Sequence, residues 1–174
     1  MRLIMPINLA AFENFKHQGL DLLKDHRDDF PPQYLEWLEK GNKMSARDLW
    51  HDQEIRTEVN DAIQGTLNKY DLLITPTLAC LPVENASDGN TMGPTQINGV
   101  QVDPLIGWCL TYFVNFSGHP AASIPAGLAE GNLPVGMQII GRRYADGDVL
   151  AASATFERLR PWHESYKLCA ARPL

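Results

Sequence analysis

Ser117, Gly118 and His119 stand consecutively in a chain of 174 residues, and a serine close to a histidine is the pairing from which an activated nucleophile and its base are made. Two positions apart they are poorly placed for that geometry, and no Gly-x-Ser-x-Gly elbow surrounds either residue. The segment reads instead as a turn in which Gly118 and Pro120 shape the entry to a strand. Ser123 falls inside that strand and reads as a small core residue. A catalytic lysine must be desolvated beside its partner to lose its proton near neutrality. Lys16, Lys24, Lys40, Lys43, Lys69 and Lys167 all fall on helix faces or ends among polar neighbours, so none fits. His17, His26, His51 and His163 are scattered and read as surface residues, and Glu157 with Arg158 reads as the solvated face of a last helix. Gln138, a polar residue in a strand that should be buried, is expected to hydrogen-bond backbone.

Cys80, Cys109 and Cys169 are odd in number, far apart and without Cys-x-x-Cys or His partners at metal-ligand spacing, so neither a disulfide framework nor a zinc site is indicated. A reducing cytoplasm is the expected setting. With 44% hydrophobic and 21% charged residues the composition is that of an ordinary globular protein. A net charge of -6, with no basic cluster beyond Arg142 and Arg143, argues against nucleic acid as a partner. The apolar start, Met1 to Phe12, is broken by Pro6 and lacks a small-residue cleavage site, so no signal peptide is expected. No run approaches the ~20 apolar residues of a membrane span.

The elements that must hold any site divide by texture. Residues 8 to 24 carry Leu9, Phe12, Phe15, Leu22 and Leu23 near helical spacing. Asp29 to Gly41 predicts a short helix with proline at its start and Gly41 as its left-handed terminator. Ser45 with Asp48 predicts a capping box opening a long helix whose stripe is Ile55, Val59, Ala62, Ile63 and Leu67. Leu72 to Thr75 is a continuous apolar run, the pattern of a strand buried on both faces, stopped by Pro76. Residues 80 to 104, rich in Gly, Pro and Asn, predict a long irregular loop, and a short helix is expected over Pro104 to Phe113. Strands Ala121 to Ala126 and Pro134 to Ile140 could pair as a hairpin. Val135, Met137 and Ile139 would share one face, with Gly136 and Gly141 letting another backbone come close. Asp146 is expected to cap a final helix with the stripe Val149, Ala152, Phe156 and Leu159, ended by Pro161.

Within this pattern, Asn115 to Gly127, Leu133 to Arg142 and the acidic, small-residue helix Asp146 to Glu157 follow one another in a distinctive order and spacing. That order resembles the C-terminal hallmark of the amidase-signature hydrolases, and Tyr70 to Thr77, with its Thr-Pro turn, resembles another strand of the family. The resemblance covers Tyr70 to Trp162.

The resemblance implies an α/β fold: part of the amidase-signature mixed sheet covered by helices, with a helical N-terminal third, then about three strands and a C-terminal helix. Residues 1–174 would form the C-terminal part of a single amidase domain. The family hydrolyses carboxylic amides with a Ser nucleophile, a second Ser in a cis peptide and a Lys base, without a metal or other cofactor. Those serines lie in a Gly/Ser-rich segment upstream of the matched region, and no Gly-Gly-Ser-Ser-Gly-like run occurs here. The expected chain is therefore an amidase part without catalytic residues of its own. On the same resemblance Trp108, Tyr112, Phe113 and Asn115 would line the acyl side of a pocket for a small-molecule amide, with aromatic rings as its apolar wall. The expected partner is the N-terminal amidase part, or a further copy of the chain. A non-catalytic subunit completing an amidase core on another polypeptide is the alternative.

Overall fold

In a computed structural model, residues 2–167 are described. The elements are α1 (Ile4–His17), α2 (Leu22–Asp25), α3 (Pro32–Asn42), α4 (Ala46–Leu67), β1 (Leu72–Pro76), β2 (Gln96–Ile97), β3 (Val100–Gln101), α5 (Tyr112–Ser117), β4 (Ala121–Leu128), β5 (Pro134–Gly141) and α6 (Asp146–Leu159). They divide into two units. One comprises Met1–Thr57 with Val83–Gly107, the other Glu58–Pro82 with the chain from Trp108 onward.

The first unit is helical around Met5, Trp37 and Leu38. Pro32 opens α3, where its missing N–H is one that no helix bonds. Gly41 is not a left-handed terminator. It lies inside α3 and is buried, and a Cβ there would stand 2.8 Å from the Met5 Cβ, so the missing side chain is what lets α1 and α3 approach. At the start of α4 the expected capping box is present: the Asp48 amide donates to Ser45 Oγ at 3.1 Å, and the Ser45 amide and hydroxyl donate to Asp48 Oδ2 at 2.9 and 2.7 Å. The 80 to 104 region is not wholly irregular. Asn98 and Gly99, both at positive φ, form the turn of the β2–β3 hairpin, the geometry that an Asn-Gly pair favours.

In the second unit β1, β5 and β4 form a three-stranded antiparallel sheet in that order. The hairpin is as expected, with both strands longer at their ends. A bulge lies between Pro125 and Gly127, on an edge strand where a proline removes no ladder bond. One face packs Ile140 against Ile63, Leu67 and Val114, and the other packs Ile139 and Ile124 against Val149 of α6. On α4 the buried face is Ile63 and Leu67 with Val59. Ile55 and Ala62 are exposed and leave the predicted stripe. β1 is an edge strand not buried on both faces, and Ile74 is 50% exposed. Gly141 admits a side chain rather than a backbone, since a Cβ there would meet Val149 Cγ2 at 2.6 Å. Asp146 is the first residue of α6 and makes no side-chain cap; Ala145 holds the cap position. Leu159 is 76% exposed, so the α6 stripe ends at Phe156.

Candidate functional site

The segment from Trp108 to Ser123 is held in place by backbone bonding first. Beyond β1 the chain pairs with residues 108–110: the Ala79 amide donates to the Trp108 carbonyl at 2.9 Å, and the Leu110 amide to the Thr77 carbonyl at 3.1 Å. Gln138, 3% exposed on β5, then donates from Nε2 to Thr75 Oγ1 and to the Leu110 carbonyl, at 3.1 and 3.2 Å. One side chain thus ties two strands to the approach to α5, and its backbone partner is the one expected of a buried strand amide.

The predicted helix over Pro104 to Phe113 is displaced. Turns occupy 104–108, and the helix is α5, ended by Gly118 in the left-handed conformation at φ 68°. The displacement changes the setting of the four proposed pocket residues. Trp108 is half-buried and precedes α5. Tyr112 opens the helix, with its ring edge-on to Phe113 at 6.5 Å and to Phe116 at 6.0 Å. Phe113 packs against the Ile63–Ile140 core, and Asn115 is exposed.

No nucleophile–base pair forms from the serines here. Ser117 is buried and donates to the Val114 carbonyl at 3.1 Å. His119, 5% exposed, instead places Nε2 3.3 Å from Gln64 Oε1. Because Gln64 Nε2 donates to Asn68 Oδ1 at 2.9 Å, its oxygen faces the imidazole, so Nε2 of His119 carries the proton and Nδ1 a lone pair. That Nδ1 is buried without a donor. Burial, with Arg143 nearby, pushes the His119 pKa down, which keeps the ring neutral. The six lysines and His17, His26, His51 and His163 are exposed. Cys80 and Cys109 are free thiols whose pKa values burial raises, the reverse of what a thiolate nucleophile needs. Cys169 lies outside the described residues. Among those residues no His, Cys, Asp and Glu group could hold a metal ion.

Ser123 is not the small core residue that its strand position predicts. It is exposed, and its Oγ lies 2.7 Å from Thr77 Oγ1. Gly136 makes that contact possible, since a Cβ there would stand 2.7 Å from Thr77 Oγ1 and 3.3 Å from Ser123 Oγ. This hydroxyl pair was missed in the sequence. Its trace is a glycine in β5 placed between a threonine and a serine of the neighbouring segments.

The family model described as Amidase matches residues 9–150. The chain belongs to the amidase-signature family. Over 99% of this amidase-signature chain, the crystal structure of a bacterial aryl acylamidase of the same family superposes with a TM-score of 0.91 at 50% identity, and the match covers 35% of that protein. The acylamidase of Rhodococcus erythropolis is 30% identical over 147 residues, which are 82% of this chain and 30% of that protein. A glutamyl-tRNA(Gln) amidotransferase subunit from Dehalococcoides mccartyi is 36% identical over 122 residues, 67% of this chain and 22% of that protein. The chain therefore spans about a third or less of these relatives' length. Among the described residues no helix is long and apolar enough to cross a membrane.

Proposed function

We propose that the chain is the C-terminal part of an amidase that hydrolyses carboxylic amides to acid and ammonia or amine through a Ser-bound acyl intermediate. The Ser, Ser and Lys of that chemistry would come from residues outside the chain. The observation that carries this reading is the likeness to the aryl acylamidase, at 50% identity across nearly the whole chain and only 35% of that protein. In this scheme Trp108, Tyr112 and Phe113 form the apolar wall for the acyl side of the substrate, where exclusion of water strengthens the polar contacts of the reacting amide. Asn115, exposed on α5, supplies a polar group for orientation. The half-buried free thiols Cys80 and Cys109 suit a reducing cytoplasm.

A second reading, in which the chain completes a core carried by another polypeptide, is favoured by relatives that are themselves subunits of an amidotransferase. Both readings require the same complementary amidase part.

Replacing the matching third of the bacterial aryl acylamidase by these 174 residues tests the proposal. The expected result is a folded chimera that hydrolyses anilides, with acyl preferences shifted from those of the parent. A folded chimera without activity, its own catalytic residues intact, would overturn it.

A further inference from the structure

Past β1 the chain runs antiparallel to residues 108–110, with Leu78 opposite Cys109. Side chains alternate between the faces of such a ladder. Thr77 and Ala79 therefore share one face with Leu110 and Trp108, while Leu78 and Cys109 point to the other. On that shared face Thr77 and Trp108 are diagonal neighbours, about 7–8 Å apart, a gap that aromatic side chains reach across. Thr77 also meets Ser123 of β4, oxygen to oxygen at 2.7 Å, in the space that Gly136 leaves open.

The polar groups beside this pair are spent. Gln138 gives both amide protons, to Thr75 Oγ1 and to the Leu110 carbonyl, and Thr75 Oγ1 donates to the Pro76 carbonyl at 3.0 Å. The Thr77–Ser123 pair is not. Each of its hydroxyls has the other as its one side-chain partner among the described residues. Two hydroxyls carry two protons, and one of them lies between the oxygens, so the pair keeps one O–H donor and spare lone pairs. Ser123 is exposed, so this capacity is open to a ligand beside Trp108.

We propose that Ser123, oriented by Thr77, is a specificity residue that favours amides whose acyl group ends in a hydroxyl over those with an alkyl end of the same size. The acyl chain lies along Trp108, and its end meets the hydroxyl pair. A hydroxyl both donates and accepts, so it complements the spare proton and the spare lone pairs together. An alkyl end placed there would strip water from the pair and return no bond, the situation in which polar sites discriminate best against an analogue. None of Thr77, Trp108, Tyr112 and Ser123 is charged, so nothing there answers a charged end. The proposal rests on the amidase reading for the choice of an amide and for Trp108 as a pocket wall.

The test is equilibrium dialysis of glycolanilide and propionanilide against the full chain. The two ligands differ in a terminal hydroxyl or methyl on the acyl group, and their binding does not depend on hydrolysis. The natural chain should take up glycolanilide saturably and hold it about three- to tenfold more tightly than propionanilide, the difference expected for one hydrogen bond. Ser123→Ala should bring the two affinities to within about twofold. Thr77→Val, which keeps the shape and removes the orienting hydroxyl, should lower the ratio at least about twofold, and Thr77→Ser should keep it. Trp108→Ala should weaken both ligands by a similar factor. Circular dichroism checks each fold, and Thr77→Val carries the comparison if Ser123→Ala does not fold. No saturable uptake by the natural chain, equal affinities for the two ligands, a ratio unchanged by Ser123→Ala, or undiminished binding by Trp108→Ala would overturn the proposal. An inactive chimera alongside an intact glycolanilide preference would refute the amidase reading alone.

Discussion

At the scale of single residues, His119 shows how a motif that looks chemical becomes structural. Its proton is committed to Gln64, and Gln64 is oriented by Asn68, so the ring lacks the freedom of a general base. The folded chain holds His119 below its ordinary pKa. The unfolded chain therefore binds a proton that the folded chain refuses. Its contribution to stability is complete above the ordinary histidine pKa of about 6.5 and drains away as pH falls towards the lowered folded value. Urea melts between pH 7.5 and 5 should show this slope, and His119→Asn should flatten it. The same variant should cost about 1–2 kcal/mol at pH 7.5 through the altered bond to Gln64. Asp48, held below the usual carboxylate range by the Ser45 hydroxyl and amide, loses its contribution only at lower pH. An unchanged slope in His119→Asn would refute the assignment. The capping box and the buried Gln138 were legible because each is a local rule about one or two groups. Gly41 was misread because a glycine near a helix end serves turns and close packing alike, and only the Met5 contact distinguishes them.

Among the elements, α5 and the segment before it carry the proposed pocket wall. The sequence placed the two strands of the hairpin and the final helix well, because alternation and Gly/Pro punctuation are strong over seven or eight residues. It placed the α5 helix poorly: Pro104 suggested a start, whereas backbone bonds to Thr77 and Ala79 and a bridge from Cys109 to Leu78 pin residues 108–110 outside a helix and delay it to Tyr112. The two-residue strands β2 and β3 were hidden by their length, although Asn98-Gly99 marked their turn. In the complete enzyme Trp108→Ala or Tyr112→Ala should change the relative rates among amides at least fivefold. The melting temperature should move by no more than about 1–2 °C, the equivalent of roughly 1–2 kcal/mol in a protein about three times the length of this chain. A large fall in melting temperature with unchanged relative rates would make these residues core rather than pocket wall.

For the molecule as a whole, the sheet-containing unit leaves an apolar face beside a strand edge. Ile74, Met137, Ile139, Phe156 and Leu159 line an apolar groove of about 480 Å³ beside the edge strand β1. Apolar faces of this kind with an unpaired strand edge are rare on soluble monomers. The chain alone should therefore self-associate or melt without a sharp transition, as read by size-exclusion chromatography with light scattering and by a thermal melt. A monodisperse monomer melting cooperatively would mean that the 174 residues close their own core. Whether the chemistry of amide hydrolysis lies outside these residues is read from turnover of a simple aryl amide by the purified chain. No turnover is expected, since without a covalent nucleophile only weak catalysis by binding remains. Turnover that survives extensive purification and is abolished by Ser117→Ala or Ser123→Ala would contradict it.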